Sequence, residues 1–340
     1  MLMGTHLNAN ANDESDPAQP GSMVLVVIVN YRSAALAVDC LRSLEPEVAA
    51  FPGARVVVVE NASGDDSADR LASAIREQGW DGWVSLVVAA ENRGFAAGNN
   101  LAIAPALASS TPPDLVWLLN PDTVVRPGAM RELVAFLKGR PEVGLAGSRL
   151  EFPDGRPQRS AFHFPTILGE LESGLRLGPV SRLVHRHVQS PPVPEGECPI
   201  DWVAGASLMV RREVFDAVGL LDEGYFMYFE EVDFCLKASR AGWPCWYVPA
   251  SRVVHLVGQS SGLTKQGEQR KRRPRYWFDA RRRFFVSNYG RARTFAADVT
   301  YTLAFGAYRI RRLIQRKPDV DPQWMLWDFF RYNFLRVKPR

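Results

Sequence analysis

An apolar run, Leu115-Val116-Trp117-Leu118-Leu119, stops abruptly on Asn120-Pro121-Asp122-Thr123. A strand that ends in this way places the Asp122 carboxylate at its carboxyl edge, which is where open α/β sheets bind ligands. An uncompensated carboxylate there is costly, and the first cationic side chain after it is Arg126. A divalent cation that holds a phosphate is therefore a natural partner. The alternative is a plain turn, in which Asp122 caps a helix opened by Pro127.

Composition and charge are those of a globular protein. The chain has 340 residues, of which 46% are hydrophobic and 23% charged. This length allows one large domain, or one and a half, with a full core. The formal net charge of +4 is too small to imply nucleic acid as a partner. Cationic residues nevertheless cluster in one short stretch: Arg270, Lys271, Arg272, Arg273, Arg275, Arg281, Arg282 and Arg283.

The cysteines and the N-terminal residues indicate the cellular compartment in which the protein is expected. The four cysteines, Cys40, Cys198, Cys235 and Cys245, show no CxxC spacing. Without a signal peptide they are expected to be reduced thiols, with no disulfides, in a cytoplasmic protein. Residues 1–22 are rich in Asn, Asp, Ala, Gly and Pro, which predicts a disordered leader and not a targeting sequence. No segment is long and apolar enough to span a bilayer.

Short apolar runs alternate with helical patterns in the first half of the chain. The predicted strands are Val24 to Val29, Val56 to Val59, Val84 to Val88 and Leu115 to Leu119. Their near-continuous apolar character is typical of strands buried on both faces of a sheet. Helical spacing of apolar residues between them predicts βαβ units and a doubly wound sheet.

The alternation of strands and helices is not continued in the middle of the chain. Residues 151–199 are rich in proline and predict a long, partly irregular excursion of the kind that often forms a lid. Order returns with a predicted strand over Trp202 to Val210 and a helix near Arg212 to Val218.

Polar residues follow each of the four predicted strands. They are Asn30 and Tyr31, then Glu60 and Asn61, then Asn92-Arg93-Gly94, then Asn120 to Asp122. Because the carboxyl ends of parallel strands meet at one edge, this pattern favours a ligand cleft, although turns also prefer such residues. The small residues from Gly94 to Asn100 lead into a helix, which suits close approach of a phosphate or sugar, or plain packing.

The acidic segment Tyr228 to Asp233 carries three carboxylates among apolar neighbours. If a helix begins at about Glu230, then Glu230 and Asp233 share a face and Glu231 points elsewhere. Burial beside like charges would raise the pKa of one carboxyl toward neutrality, as a general base for a sugar hydroxyl requires. Alternatively, the three acids stabilise the first helical turn. Later in the chain, His255 precedes a Gly- and Ser-rich loop and is either a ligand or a structural residue.

The ordered set of motifs resembles glycosyltransferase family 2, and within it the bacterial rhamnosyltransferase-like members. The resemblance covers about residues 23–283 and runs through Val29-Asn30-Tyr31, Val59 to Ser63, Asn92 to Asn100, Leu119 to Asp122, Gly205-Ala206, Phe229 to Asp233 and His255. It implies a GT-A fold, that is, a Rossmann-like mixed sheet flanked by helices. It also implies a nucleotide-diphospho-sugar donor, a divalent cation (Mg²⁺ or Mn²⁺) and inversion at the anomeric carbon.

The resemblance also implies roles for individual residues. Asn30, Tyr31, Glu60 and Asn61 would line the nucleoside pocket, with Arg93, Gly94, Asn99 and Asn120 near the donor and Gly205 and Ala206 beside the acceptor. Asp122 and His255 would bind the cation. Glu231 would be the general base, while Asp233 and Glu230 orient the acceptor or tune the base. The sequence departs from the family pattern at Asn120, Glu60 and Glu231, where the family usually has Asp.

These inferences divide the chain into a leader (1–22), a GT-A catalytic domain (23–265) and a basic, aromatic, helical region (266–340). The catalytic domain consists of a nucleotide-sugar half (23–150) and an acceptor half (151–265). The basic region either packs its aromatic stripe on the catalytic domain or attaches to an anionic membrane surface.

The expected donor is a dTDP- or UDP-sugar, with rhamnose favoured, and the acceptor a cell-envelope glycan or a polyprenyl-pyrophosphate-linked precursor. The expected location is cytoplasmic and peripheral, at the inner face of the cell membrane. No motif supports binding of nucleic acid. Two alternatives stay open: a catalytically inactive nucleotide-sugar or carbohydrate-binding protein, and a scaffold anchored by the basic region.

Overall fold

The computed structural model describes residues 22–256 and 271–335. The predicted leader, apart from residue 22, the loop over residues 258–262 and the domain boundary at residue 265 lie outside the described residues. The strands are β1 Val24–Asn30, β2 Ala54–Glu60, β3 Val84–Val88, β4 Leu115–Leu119, β5 Thr123–Val125, β6 Leu145–Glu151, β7 Ala161–Phe162, β8 Cys198–Ile200, β9 Trp202–Val203, β10 Ser207–Arg211 and β11 Cys245–His255.

Ten α-helices accompany these strands in the described part of the chain. They are α1 Ala34–Ala50, α2 Ser67–Glu77, α3 Phe95–Leu107, α4 Ala129–Lys138, α5 Ile167–Leu175, α6 Gly178–Leu183, α7 Arg212–Val218, α8 Glu230–Arg240, α9 Arg275–Ile314 and α10 Met325–Phe330. Short helical turns span Trp80–Gly82, His185–His187 and Arg331–Leu335.

The main sheet is mixed, with strand order β3-β2-β1-β4-β10-β6-β11-β5, and β8 pairs with β11. The four strands predicted from the sequence form the parallel part. Strand β10 then runs antiparallel to both of its neighbours, β4 and β6. The predicted parallel arrangement is therefore confirmed for β1 to β4, and the mixed sheet that the resemblance implied is present as well.

Strand β1 shows why the central strands are apolar at every position. All seven of its residues are buried. Val24, Val26 and Ile28 join the core on one side of the sheet, whereas Leu25 and Val27 join the core on the other side. A strand covered on both faces has no position for a polar side chain until it ends, which confines the polar residues to the carboxyl edge.

The chain after Asp122 does not form the helix cap that the turn alternative required. Strand β5 begins at once with Thr123, and α4 starts only at Ala129, with Gly128 as its capping residue. Strand β5 pairs with the end of β11, so that Thr123 lies opposite His255. This pairing, and not a helix, fixes the backbone at Asp122.

The excursion over residues 151–199 is more ordered than the sequence predicts. Helix α5 packs along α9, and the two are joined by the buried Arg281. The Arg281 guanidinium donates to Glu170 Oε2 at 2.8 Å and to Asp298 Oδ1 at 2.6 Å. The middle of the excursion is therefore anchored to the C-terminal region.

Helix α9 has two parts, because Gly290 adopts φ 80° and ψ 166° and kinks it. The first part packs Phe284 and Phe285 against Tyr225 and α8, which confirms the packing alternative for that part of the aromatic stripe. None of the helices described is both long enough and apolar enough to cross a bilayer. All four cysteines are free thiols.

Candidate functional site

The carboxyl ends of the first strands meet and are joined by hydrogen bonds. Asn30 lies opposite Glu60 in the parallel register. The Asn61 backbone N–H donates to Asn30 O at 2.8 Å, and the Asn61 amide donates to Asn92 Oδ1 at 3.1 Å and to Gly94 O at 3.2 Å. The predicted nucleoside residues Asn30, Glu60 and Asn61 are thus one cluster, and the third strand end contributes to it through Asn92.

Two buried polar atoms at this edge have no hydrogen-bond partner among the described residues. They are Asn30 Nδ2 and Asn99 Oδ1. Both side chains are almost completely buried. Leaving a buried donor or acceptor unpaired costs about 1–3 kcal/mol, so these two atoms are available to a ligand or an ordered water.

Tyr31 lies at the rim of this cluster and is exposed. The Arg32 guanidinium stands 5.2 Å from the centre of the Tyr31 ring. Arg32 has a left-handed backbone (φ 54°), which is secured because Ser63 Oγ accepts from its backbone N–H at 2.9 Å. Ser63 is in turn held by Glu60, whose carboxylate accepts from its N–H at 2.8 Å. The sequence interpretation did not assign Arg32 or Ser63, although both lie within the quoted motifs or next to them.

Arg93 lies at the surface, whereas the neighbouring Gly94 packs against the backbone of Phe226. Arg93 is largely exposed and pairs with Glu223 at 2.8 Å. Gly94 has φ 95°, and a side chain at this position would clash with the carbonyl of Phe226. The Phe95 backbone N–H also donates to that carbonyl, at 2.8 Å. Close approach of the Phe226 backbone thus accounts for the glycine.

Asp122 and His255 come together at the edge of the sheet. Asp122 Oδ1 lies 3.5 Å from His255 Nε2, and the aspartate side chain is 1% exposed. The His255 carbonyl accepts from the Gln158 side chain at 2.7 Å, and the same amide group donates to Glu151 O at 3.0 Å. Gln158 therefore ties the histidine backbone to β6. No local pattern in the proline-rich excursion marks Gln158, so sequence reasoning missed it.

The donor atoms of Asp122 and His255 fit a divalent cation that takes its other ligands from elsewhere. No group of three or more His, Cys, Asp or Glu residues suited to a metal occurs within residues 22–256 and 271–335. Mg²⁺ is commonly bound through one or two carboxylates together with substrate phosphates, and Mn²⁺ accepts both carboxylate and imidazole. The pair thus fits a site that a donor diphosphate would complete.

Gly205 and Ala206 contact both the end of β4 and the acidic segment. They lie between β9 and β10, and the Ala206 carbonyl accepts from the Asn120 N–H at 3.1 Å. A Cβ atom on Gly205 would lie 3.7 Å from Glu231 Cβ. Asn120, Gly205, Ala206 and Glu231 are thus neighbours, as the resemblance implies.

The acidic segment is strained where it enters α8. Tyr228 and Phe229 have φ of 72° and 68°. Bulky residues in the left-handed region cost about 1–3 kcal/mol each, and such strain clusters at functional sites. The helix itself begins at Glu230, as predicted. The strained turn therefore delivers Glu230 and Glu231 to the first turn of α8.

The two glutamates have perturbed carboxyl groups. One carboxylate oxygen of each, Oε2, is buried and finds no hydrogen-bond partner in the described chain. Burial raises the pKa of Glu231 to about 7, although backbone N–H groups at the start of α8 oppose the shift. Burial, and next the charge of Glu231, raise the pKa of Glu230 well above its usual range. A carboxyl with a pKa near neutrality and one oxygen without a hydrogen-bond partner can act as a general base.

Asp233 occupies a different environment. Its carboxylate accepts from Asn288 at 2.6 Å and pairs with Lys237 at 2.7 Å. It faces α9 and, with both oxygens engaged, fixes α8 against the C-terminal region. Asn288 and Lys237 were not singled out from the sequence, because only the fold shows that α9 approaches α8.

Similarity to known proteins agrees with this geometry. The profile of the family described as Glycosyltransferase like family 2 matches residues 20–276. N-acetylglucosaminyl-diphospho-decaprenol L-rhamnosyltransferase of Mycobacterium tuberculosis (strain ATCC 25618 / H37Rv) is 34% identical over 156 residues, which are 44% of this chain and 49% of that protein. Rhamnosyltransferase WbbL of Escherichia coli (strain K12) is 30% identical over 173 residues, which are 48% of this chain and 61% of that protein. The chain therefore spans about half the length of these curated relatives.

Solved structures share the fold at low sequence identity. Mannosyltransferase PcManGT from Pyrobaculum calidifontis, in complex with GDP-Man and Mn²⁺, has a TM-score of 0.53 at 16% identity and covers 87% of this chain and 75% of its own. GalNAc-T7 with UDP, GalNAc and Mn²⁺ has a TM-score of 0.54 at 16% identity and covers 92% of this chain and 58% of its own. These glycosyltransferases have the GT-A fold. The family profile spans most of the sheet described above, together with the acidic segment and His255, so the chain belongs to glycosyltransferase family 2.

Proposed function

We propose that the protein is an inverting, metal-dependent glycosyltransferase that uses a nucleotide-diphospho-sugar, with dTDP-rhamnose as the favoured donor. The observation that carries the proposal is the Glu231 carboxyl, whose pKa is raised by burial to about 7, whose Oε2 has no hydrogen-bond partner in the described chain, and which lies beside Gly205. The names of the relatives support rhamnose. A further relative, dTDP-rhamnosyl transferase RfbF of Shigella flexneri, is 25% identical over 208 residues.

In the proposed reaction the acceptor hydroxyl binds beside Gly205 and gives its proton to Glu231. The hydroxyl oxygen forms a bond to the anomeric carbon as the bond from that carbon to the diphosphate oxygen breaks. The nucleoside diphosphate leaves with the electron pair, on the side opposite to the attack, so that the configuration inverts. Glu230, which lies next to the base, would tune it through the interaction between the two carboxyl groups, and Asp233 positions α8.

Asp122 and His255 would hold the divalent cation. Bound there with the donor, the cation would neutralise the charge that develops on the leaving diphosphate. The Mn²⁺ in the two similar structures supports a divalent ion. Asn30, Tyr31, Glu60, Asn61 and Asn99 would contact the nucleotide. The unpaired Asn30 Nδ2 would donate a hydrogen bond to the nucleotide, and the unpaired Asn99 Oδ1 would accept one.

The acceptor is proposed to be a hydroxyl of a lipid-linked precursor of a cell-envelope glycan, which would place the protein at the cytoplasmic face of the membrane. The name of the mycobacterial relative, with its diphospho-decaprenol acceptor, supports this proposal. The alternative of an inactive binding protein predicts donor binding without transfer. A chemically competent base at Glu231 argues against it.

The test combines donor and product analysis. The full chain is incubated with dTDP-rhamnose or UDP-sugars, Mn²⁺ or Mg²⁺, and a short-chain, water-soluble lipid-diphosphate acceptor. We expect transfer from one donor with inverted anomeric configuration, read by NMR, and loss of transfer in Glu231→Gln with donor binding retained. Donor binding by the wild type without any transfer or donor hydrolysis would favour the inactive binding protein.

A further inference from the structure

The second part of α9 is apolar on two opposite faces. Its inner face packs Tyr301 and Phe305 into the core formed with α10. Its outer face carries apolar residues at steps of three or four: Phe295, Val299, Leu303, Ala307, Ile310 and Ile314. Here "outer face" denotes these six residues. Leu303, Ile310 and Ile314 are 69%, 63% and 77% exposed.

A single exposed leucine needs no explanation, but an unbroken stripe does. At 1.5 Å per residue, the outer face extends for about 28 Å along the helix. Apolar residues that recur on one face of a helix normally pack against another surface. Within the described residues, Leu303, Ile310 and Ile314 stay exposed after the inner face has packed, so this part of the outer face is suited to a partner outside the chain.

Aromatic rings extend this surface onto α10 and the turn after it. The centre of the Phe295 ring lies 5.9 Å from that of Phe334, which lies 5.2 Å from Phe330. Phe330 in turn stacks on Trp327 at 6.3 Å, and Trp327 is half exposed. Tryptophan at the edge of an apolar surface is typical of the boundary between lipid and water.

The charges around the outer face are almost all positive. Asp298 is the only acidic residue from 291 to 317, and it is buried against Arg281. Cationic side chains border the stripe on both sides and at its end: Arg291, Arg293, Arg309, Arg311, Arg316 and Lys317. Of these, Arg309 pairs with Asp319 at 2.7 Å, and Arg311 donates to the Leu175 carbonyl at 2.8 Å. An apolar helix face bordered by arginine matches helices that lie in the surface of anionic bilayers.

We propose that the outer face of α9, extended by Trp327, binds in the plane of an anionic phospholipid bilayer. A second copy of the chain is a poorer fit, because a two-fold contact through this face would bring the arginine borders of the two copies together. Phospholipid phosphates would instead meet those borders while the acyl chains cover the apolar residues. Binding to the bilayer does not depend on the proposed function. Only its purpose does, which is to give the protein access to a lipid-linked acceptor.

The same helix links this surface to the candidate base. Asn288, at the end of the first part of α9, donates to Asp233 on α8. Glu231 lies one turn or less from Asp233 on that helix. A bilayer bound at the outer face would therefore hold the acidic segment at a fixed height above the lipid headgroups.

The experiment measures co-sedimentation of the full chain with vesicles of phosphatidylcholine alone and of phosphatidylcholine mixed with phosphatidylglycerol. Nucleotide and metal are left out. We expect binding to the anionic vesicles that weakens as salt increases, and a loss of at least about tenfold in Leu303→Glu/Ile310→Glu, since both residues would enter the bilayer. The matched control is Leu101→Glu, an exposed leucine on α3, which should bind as the wild type does.

Three outcomes overturn the proposal. The wild type fails to bind anionic vesicles, or the double variant binds as well as the wild type, or light scattering shows a wild-type dimer that the double substitution dissociates while vesicles are not bound. Circular dichroism and nucleotide binding verify that the variants are folded. Transfer to a water-soluble acceptor is tested separately. Absence of transfer would contradict the proposed function and leave the vesicle result intact. A failure to bind vesicles would contradict the membrane proposal and leave the transfer result intact.

Discussion

Asp122 Oδ1 and His255 Nε2 lie 3.5 Å apart because β5 and β11 pair next to them, with Thr123 opposite His255. An anionic carboxylate and an imidazole, brought to the carboxyl edge of the sheet from distant parts of the chain, form the most direct candidate for the cation site. Gln158 secures this arrangement through the carbonyl of His255.

We expect Asp122→Asn to weaken metal-dependent nucleotide binding by at least about tenfold, because an amide replaces the anionic ligand. Calorimetry with dTDP and UDP, with and without Mn²⁺ or Mg²⁺, measures this effect. Asp114→Asn is the control, since the Asp114 side chain accepts from Met23 N and precedes β4, whereas Asp122 follows that strand. Equal affinities of the wild type and Asp122→Asn in the presence of metal would contradict the assignment.

Glu231→Gln should lower kcat by about 10²–10⁴-fold while donor affinity is retained, because the variant cannot accept the acceptor proton. In the wild type, kcat/KM should rise with pH and level off above about 7, where the carboxyl of the free enzyme is ionised. Asp233→Asn serves as a comparison that perturbs α8 without removing the base, so its pH profile should keep the same midpoint. An unchanged kcat in Glu231→Gln would exclude this residue as the base.

The pKa of Glu231 also predicts a pH dependence of stability. Its value rises from 4.5 to about 7 on folding. Below pH 4.5 both states hold the proton; between these values the unfolded chain releases it first, so stability falls as pH rises, and the loss is complete above about 7. Glu231→Gln should therefore be more stable than the wild type at pH 8 by about 1–2 kcal/mol. Urea unfolding at pH 5 and pH 8 measures the difference, and equal pH dependence of the two proteins would count against a shifted carboxyl.

Gly94→Ala should destabilise the fold by more than about 2 kcal/mol, because it adds a clash with the Phe226 carbonyl to the strain of positive φ. Gly64→Ala is the matched control. Gly64 also has positive φ, 71°, but a Cβ there would meet nothing within 4 Å. The control should lose about 1 kcal/mol. Equal losses in the two variants, read by denaturant unfolding, would show that the contact with Phe226 is unimportant.

Arg281→Met should cost about 3–5 kcal/mol, because Glu170 and Asp298 would remain buried without their cation. Arg281→Met combined with Glu170→Gln and Asp298→Asn should recover part of the loss by removing both charges. Arg283→Met is the control, since its partner Asp222 is more exposed and the pair is at the surface. If Arg281→Met and Arg283→Met unfold at the same denaturant concentration, the buried cluster does not anchor α5 to α9.

The candidate site was predictable where it depends on local pattern. The predicted set Asn30, Glu60, Asn61 and Asp122 lies at one sheet edge because consecutive parallel strands must end there. Glu230 starts α8 because acidic residues favour the first turn of a helix and an amphipathic run follows. The sequence predicted only in part that Asp233 and Glu231 have different environments. Helical periodicity places them on different faces, but it does not show that Asn288 and Lys237 engage Asp233.

The sequence alone determined the four parallel strands β1 to β4 and the polar edge, since apolar strands buried on both faces allow polar residues only at their ends. Tertiary structure alone decided which residues from distant segments meet: His255 with Asp122, Gln158 with the His255 backbone, and Arg281 with Glu170. It also decided which face of α9 stays exposed. These contacts depend on β5–β11 pairing and on the packing of α5 and α9, and neither leaves a signal in the local periodicity of the chain.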